Sequence, residues 1–187
     1  MKTGGFFVKK ELRGGYTTGA CMAAGVKAGL LFSQGHPCTT LTLIALDGTP
    51  LTIPVKEVKE TDDGIRAEII KDAGDDPDII NGVSVFTTIR FLSPGNGIIF
   101  KAGEGIGTVT KPGLSVPVGE PSINPGPRKL VQAVVDELLP GQGDLEVEVS
   151  IPEGTKLAKR TLNPILGVEG GISVIGTTGV LRPMSEE

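Results

Sequence analysis

A stretch rich in glycine and proline, residues 103–128, most constrains what this chain can fold into. It reads GEGIGTVTKPGLSVPVGEPSINPGPR and packs six glycines and five prolines into twenty-six residues. Prolines fix φ and remove backbone donors, while glycines widen the range of φ, so neither a helix nor a long strand can run through it. Valine, isoleucine and leucine recur throughout, which is untypical of disordered tracts. We therefore predict an ordered loop system, with turns that join short edge strands as the alternative.

The composition narrows the class of protein. A chain of 187 residues has the length of one domain, or of one domain and the beginning of another, and its 39% hydrophobic and 21% charged residues are typical of soluble globular proteins. Aromatic residues make up only 4%, so the core must be aliphatic. The net charge of −4 argues against a nucleic-acid partner, and an anionic ligand would need a few local cations.

Cysteine usage and hydropathy indicate the compartment. Cys21 and Cys38 form neither a metal-ligand pattern nor a disulfide framework, which favours a reducing cytoplasm. No apolar run reaches the length of a membrane span. The sequence therefore predicts a cytoplasmic protein with no membrane partner and no metal ion of its own.

A helix rich in small residues is predicted over Ala20–Phe32. Thr17 or Thr18 can cap its N-terminus, Gly35 can end it, and its alanines and glycines would let it lie close against a sheet. Free N–H groups beside two threonine hydroxyls also make this N-terminus a candidate anion site. An ordinary capped core helix is the competing interpretation.

Alternating and β-branched segments predict the sheet. The predicted strands are Thr39–Leu46, Leu51–Val58, Ile65–Ile70, Val83–Leu92, Ile98–Lys101, Leu145–Ile151 and Ile172–Ile175. A second helix is predicted over Pro125–Leu139 and a shorter one over Thr155–Leu162. We expect a two-layer α+β sandwich, in which both main helices cover one face of a mainly antiparallel sheet.

A cluster of carboxylates occupies residues 71–78, which read KDAGDDPD. Such a cluster can hold a divalent metal, position a general base or remain in water, and the spacing of an EF-hand is absent. Crowded carboxylates raise one another's pKa, as a base that works near neutrality requires.

The glycine- and proline-rich stretch contains two kinds of candidate. Gly103, Gly105 and Gly107 follow a predicted strand, but no helix opens behind them, so a dinucleotide fingerprint is not supported. Lys111 and Arg128 are its cations, and Arg128 lies in a first helical turn, where it opposes the helix dipole. That position indicates a ligand or a partner carboxylate, and we predict that the two cations lie close together.

Several motifs together carry a family resemblance. These motifs, in chain order, are Leu12-Arg13 with Gly15–Gly19, Lys71–Asp78, Gly103–Arg128, Asn163-Pro164, Gly170–Ser173 and Gly176–Gly179. A known family has the same motifs in the same order. With these motifs the chain resembles the cobalt-precorrin-5B C(1)-methyltransferase family, also called CbiD. The resemblance covers nearly the whole chain.

The resemblance implies an enzyme of anaerobic cobalamin (vitamin B12) biosynthesis. Such an enzyme transfers a methyl group from S-adenosylmethionine to C-1 of cobalt-precorrin-5B and yields cobalt-precorrin-6A, so cobalt enters only as part of the substrate. It also implies an α+β first domain, here residues 1–182, and a Rossmann-like second domain. Ser185-Glu186-Glu187 is typical of a helix opening, so residues 183–187 are interpreted as the start of a truncated second domain. A homo-oligomer is left open.

The substrate implied by this resemblance is a large, flat ring with many carboxylate side chains. The expected substrate-binding residues are Thr17, Thr18, Lys71, Lys111 and Arg128. The carboxylates that could move a proton are Asp72, Asp75, Asp76 and Glu120, unranked. Gly103, Gly105 and Gly107 are weak candidates for cofactor binding. The alternative function is a non-catalytic domain that binds an anionic ligand or contacts another subunit.

Overall fold

The structure is a computed structural model that describes residues 12–183. The predicted helix opening at Ser185–Glu187 lies outside the described residues. The helices are α1 (Thr18–Ser33), α2 (Pro125–Leu138), α3 (Gly154–Ala158) and α4 (Asn163–Leu166). The strands are β1 (Gly15–Tyr16), β2 (Thr40–Ile44), β3 (Pro50–Pro54), β4 (Glu57–Thr61), β5 (Gly64–Ile70), β6 (Ser84–Phe91), β7 (Ile98–Ala102), β8 (Thr108–Val109), β9 (Leu145–Ser150), β10 (Val168–Glu169) and β11 (Val180–Leu181).

The main sheet has five strands in the order β4-β5-β6-β9-β7. Neighbouring strands are antiparallel except β7 and β9, which are parallel, with α2 in the connection between them. A parallel pair needs such a crossover connection, whereas antiparallel pairs can be joined by tight turns. The predicted mixture of helices and mainly antiparallel strands is therefore confirmed, although the strands form several sheets.

Helix α1 packs on the sheet at β5 and β6. On β6 the side chains of Val85, Thr87 and Ile89 are buried and share one face. Gly25 of α1 lies directly against Thr87, and Gly29 lies against Ile89. The small residues thus bring the helix close to the sheet, as the sequence predicts.

Helix α2 packs along α1. It starts at Pro125, and its buried residues include Leu130, Val131, Val134 and Val135, while Leu138 is only half-buried. The Arg128 side chain reaches from α2 over the ring of Phe100 on β7, 5.2 Å from its centroid. The two main helices therefore lie on the same side of the sheet, because Phe100 pairs with the buried Val147.

Three predicted elements differ from the observed ones. Leu51–Val58 is not one strand, because the chain leaves the β2–β3 hairpin after Pro54 and enters the five-stranded sheet at Glu57. The predicted helix Thr155–Leu162 is shorter, and α4 follows it. Residues 172–175 form isolated bridges rather than a strand, with Ile172 next to Ile106 and Val174 next to Ile123.

The glycine- and proline-rich stretch is an ordered loop system, as predicted. Its backbone interlaces with residues 172–174: the Gly107 amide donates to Ile172 O at 2.9 Å, and the Val174 amide donates to Ser122 O at 2.8 Å. Within it, β8 pairs with β10, so short edge strands are also present. Both interpretations of the sequence therefore describe part of this segment.

The helices and the acidic, histidine and cysteine side chains of residues 12–183 bear on membrane and metal binding. Within this range no helix is both long and apolar enough to cross a bilayer. Groups of three or more histidine, cysteine, aspartate or glutamate side chains arranged to hold a metal ion are also absent from this range.

Candidate functional site

Two adjacent threonines begin α1, and they have different hydrogen-bond roles. Thr17 is the N-cap, and its Oγ1 accepts a hydrogen bond from the Ala20 amide at 3.1 Å. Thr18 is fully buried, yet its Oγ1 has no hydrogen-bond partner among the described residues. Only Thr17 therefore supplies a side-chain hydrogen-bond acceptor to the N-terminus of the helix.

The segment 175–179 crosses the start of α1. The Gly19 amide donates to Ile175 O at 2.9 Å, and the Thr17 amide donates to Gly179 O at 2.9 Å. Gly176 has a φ of +141° and passes so close to the Thr17 side chain that any Cβ would overlap with it. A glycine is thus required where this segment meets the cap.

Helix α2 begins beside α1. A Cβ built on Gly19 would lie 2.5 Å from Pro127 Cγ, and one built on Gly126 would overlap with Gly176 O. A cleft of about 630 Å³ opens where the two helices start, and we call it the helix-start cleft. Its lining residues are Thr17, Thr18, Leu46, Lys71, Asp78, Asn124, Pro125, Gly126, Lys129, Ile175, Gly176, Thr177, Val180 and Leu181.

A buried ion pair lies in the wall of this cleft. The ammonium of Lys71 pairs with the Asp78 carboxylate, and their side chains are 3% and 20% exposed. Asp78 also accepts a hydrogen bond from the Ile80 amide at 3.0 Å. The sequence marked Lys71 as a ligand-binding cation but gave Asp78 no role, since four carboxylates close together cannot be ranked by spacing.

Asp72 is held by Arg13. The Arg13 guanidinium donates to both carboxylate oxygens, at 2.7 and 2.9 Å, and Asp72 Oδ1 also accepts from the Gly74 amide at 2.9 Å. The hydrogen bond from Arg13 is the main cause that lowers the pKa of Asp72 below its ordinary value of 3.8. The expectation that crowding raises the pKa of this cluster is therefore wrong for Asp72.

The other members of the carboxylate cluster shape the turn. The Asp75 carboxylate accepts a hydrogen bond from the Arg13 amide, and the Asp76 amide donates to Ala73 O at 3.2 Å. The cluster thereby attaches the segment before β1 to the segment after β5. Arg13 was part of the motif that carries the resemblance, but the sequence gave no sign of the distant carboxylate that it binds.

Tyr16 lines two cavities that neighbour the helix-start cleft. Arg13, Tyr16 and Asp72 line both of these cavities, whose volumes are about 1030 and 600 Å³, and Lys71 lines the smaller one as well as the cleft. Burial raises the pKa of the Tyr16 phenol to about 12, and its hydroxyl donates to Ile70 O at 3.3 Å. Burial also raises the pKa of the Cys21 thiol, in the first turn of α1, to about 12. Both groups are therefore neutral at physiological pH.

Arg128, Glu120 and Lys111 lie outside the helix-start cleft. Arg128 donates to Ile123 O at 2.7 Å and to Pro121 O at 3.2 Å, and it pairs with Glu120 at 3.2 Å. Lys111 instead donates to Ile165 O at 3.1 Å. The partner carboxylate anticipated for Arg128 is thus Glu120, and the two cations have no partner in common.

The three glycines of the candidate cofactor turn contact the protein itself. A Cβ on Gly103 would overlap with Ser150, one on Gly105 with Ile151 O, and one on Gly107 with Val168. Gly105 also has a φ of +80°. Internal packing accounts for these glycines, because a space filled by other atoms of the same chain cannot admit a ligand.

The sequence and the fold agree with those of known proteins. The CbiD family model matches residues 7–183. The cobalt-precorrin-5B C(1)-methyltransferase of Moorella thermoacetica is 49% identical over 179 residues, which are 95% of this chain and 48% of that protein. The enzyme of the same name from Methanocaldococcus jannaschii is 43% identical over 96% of this chain and 50% of that protein.

A crystal structure shows the same fold. It is that of the cobalamin biosynthesis protein CbiD from Archaeoglobus fulgidus, with a TM-score of 0.70 and 26% identity, over 93% of this chain and 56% of that one. These findings define the class as proteins with the fold of CbiD, and the chain belongs to the CbiD family. It spans about half the length of the curated relatives that it matches.

Proposed function

We propose that this chain takes part in the methylation of cobalt-precorrin-5B at C-1, with S-adenosylmethionine as methyl donor and cobalt-precorrin-6A as product. The relatives that match it at 49% and 43% identity carry the name of this reaction. The free thiols of Cys21 and Cys38 are ordinary in a reducing compartment, so a cytoplasmic location belongs to the same proposal.

One observation carries the proposal: the helix-start cleft and the two neighbouring cavities adjoin one another around Tyr16 and Lys71. A tetrapyrrole ring with many carboxylate arms needs a wide opening edged by hydrogen-bond donors and a few cations. Arg13, Lys71 and Lys129 border these openings, although the chain as a whole is acidic. Local cations, and not a general positive field, would therefore hold the ring.

The site residues named from the sequence take different parts in this proposal. Thr17 and Lys71 form the wall of the cleft, and Thr18 faces the ligand. Ionised Asp72 fixes Arg13 at the rim and cannot act as a general acid at neutral pH, because its pKa is lowered. Asp75 and Asp76 remain candidates for proton movement, whereas Lys111, Glu120 and Arg128 brace loops.

We further propose that residues 1–187 bind the macrocycle but do not transfer the methyl group. Alignment of two substrates can supply roughly 7 to 11 kcal/mol of a barrier, so both must be held. The glycine turn considered for adenosylmethionine is filled by Ser150, Ile151 and Val168. We infer that the described residues contribute to the macrocycle site and that this glycine turn is not the donor site.

The test compares this chain with the Moorella thermoacetica relative. Each is incubated with cobalt-precorrin-5B and S-adenosylmethionine that carries a labelled methyl group, and macrocycle binding is measured by calorimetry. We expect both proteins to bind the macrocycle and only the longer relative to label it. Labelling at equal rates would refute the division of roles, and failure of this chain to bind would favour the non-catalytic alternative, a contact domain for another subunit.

A further inference from the structure

The helix-start cleft contains hydrogen-bond donors that the fold leaves unused. At the start of α1, the Gly19 amide is bonded to Ile175 O and the Ala20 amide to Thr17 Oγ1. The Thr18 amide donates no hydrogen bond of its own within residues 12–183. One backbone donor of α1 is therefore free at the cleft.

The start of α2 supplies a second free donor. Pro125 and Pro127 have no N–H, so Gly126 carries the single amide of the first three positions, and it has no partner in the described range. Asn124 occupies the N-cap position but makes no capping hydrogen bond with its side chain. The positive ends of two helix dipoles thus point at one cleft, and each helix has a backbone amide there without a hydrogen-bond acceptor.

The hydroxyl of Thr18 is an independent sign of a missing partner. The residue is fully buried, lines the cleft and has an unpartnered Oγ1 in the described part of the chain. Buried polar groups without partners are rare in folded proteins and destabilise them. Thr17 already caps the helix, so helix formation does not explain a second buried hydroxyl at this place.

The charges around the cleft favour an anion. The Asp78 carboxylate pairs with Lys71 and accepts from the Ile80 amide, so its negative charge is already balanced within the wall of the cleft. Lys129 lines the cleft with an exposed side chain, and its ammonium forms no salt bridge among residues 12–183. Unused donors and an unpaired cation therefore meet at a cleft whose lining carboxylate, Asp78, is already balanced by Lys71.

We propose that the helix-start cleft is a subsite for one carboxylate arm of the macrocycle. The carboxylate accepts hydrogen bonds from Thr18 Oγ1 and from the Gly126 amide, and Lys129 balances its charge at the rim. Thr18 forms the buried end of the subsite, so the arm must enter deeply and lose its water. That cost favours a carboxylate carried by a large ring that is held elsewhere. Only the identity of this carrier rests on the proposed function.

The test uses two stable probes, the cobalt corrin polycarboxylate cobyrinic acid and its fully esterified form. Calorimetry with residues 1–187 compares the wild type with Thr18→Val, which removes the hydroxyl, and with Thr18→Ser, which keeps it. We expect Thr18→Val to weaken binding of the acid about tenfold, equivalent to about 1.4 kcal/mol. Thr18→Ser should bind within about twofold of the wild type, and binding of the ester should not respond to either change.

Unfolding measurements test whether Thr18→Val changes stability, and NMR tests where the acid binds. Thr18→Val should unfold at the same or a higher denaturant concentration than the wild type, because it removes an unsatisfied hydroxyl. The amide signals of Thr18 and Gly126 should shift with the acid and not with the ester. Equal affinities of the wild type and Thr18→Val for the acid would overturn the subsite and leave the proposed function standing.

Other outcomes distinguish failure of the proposed macrocycle binding from failure of the carboxylate subsite. If neither the acid nor the ester binds but succinate still shifts the Thr18 and Gly126 amides, the carboxylate subsite stands and macrocycle binding is refuted. If inorganic phosphate binds in the cleft as tightly as succinate, the assignment to a carboxylate is overturned.

Discussion

Gly25 of α1 and Thr87 of β6 lie so close that a Cβ built on the glycine would be 2.7 Å from Thr87 Oγ1. This contact sets the distance between the helix and the sheet. It also explains why α1 contains a glycine at a position where alanine would favour the helix by about 1 kcal/mol. Packing of the two layers here outweighs helix propensity.

Gly25→Ala is therefore expected to destabilise the protein. Overpacking of this kind costs about 1–3 kcal/mol, which exceeds the gain in helix propensity. The measurement is the free energy of unfolding by urea. Gly29→Ala is the matched control on the same helix, because its new Cβ would lie no nearer than 3.0 Å to any neighbour, and that nearest atom is Cδ1 at the end of the flexible Ile89 side chain. A loss of stability in the control that equals the loss in Gly25→Ala would contradict this explanation.

Thr17 is expected to matter for stability through its cap. Thr17→Val removes the acceptor for the Ala20 amide and should lower the free energy of unfolding by about 1 kcal/mol. Thr18→Val, one residue further, provides the comparison, since it removes no bond within residues 12–183. Similar losses in the two variants would show that Thr18 has a structural partner after all.

Arg128 is expected to hold the loop and not the substrate. Its guanidinium bonds Ile123 O and Pro121 O and stacks on Phe100, so Arg128→Ala should destabilise the protein by about 1–3 kcal/mol. Lys111→Ala removes a single exposed bond and should change stability by less than about 0.5 kcal/mol. Weaker corrin binding by Arg128→Ala, with unchanged stability, would restore Arg128 as a ligand.

The Arg13–Asp72 pair is expected to make stability depend on pH. Because the pKa of Asp72 is lowered in the folded state, its contribution is fully present above its ordinary value of 3.8. The contribution disappears as the pH falls through the lower, folded value. Both side chains are partly exposed, at 61% and 39%, so the effect should be small and sensitive to salt.

Asp72→Asn isolates this contribution. We expect the wild type to be more stable than Asp72→Asn at neutral pH and the difference to shrink as the pH falls below 3.8, measured by urea unfolding at each pH. Glu57→Gln is a suitable control, because Glu57 forms an exposed pair with Lys59 within one strand. A difference for Asp72→Asn that stays constant between neutral and acidic pH would disprove the linkage.

The elements that the sequence predicted best are those with a local cause. The Thr17 cap and the run of small residues specify α1, Pro125 starts α2, and alternation specifies β5, β6 and β9. Leu51–Val58 misled the prediction, because alternation continues across Val55 and Lys56 although the chain changes sheets there. Periodicity reports which face is buried and not which partner buries it.

The residues of the candidate site also fall into those that the sequence could identify and those that it could not. Thr17, Thr18 and Lys71 could be named from the sequence because each stands in a short motif with an evident chemistry. Asn124, Gly126 and Lys129 were missed as cleft residues, since nothing near Pro125 indicates that a second helix starts beside the first. Arg128 was predicted to meet a ligand or a carboxylate, and Gly105 a cofactor, because the backbone atoms that lie next to them, Ile123 O and Ile151 O, have no sequence signature.

By itself, the sequence determined the family, the two main helices, most of the strands and the presence of an ordered glycine- and proline-rich loop. These depend on local propensity and on motifs that are contiguous in the chain. Only the tertiary structure decided which donors remain unused: Thr18 and Gly126 are 108 positions apart in the numbering, and the fold alone places them at one cleft. Whether a hydroxyl or an amide is available to a ligand depends on every neighbour that could bond it, and those neighbours come from distant parts of the chain.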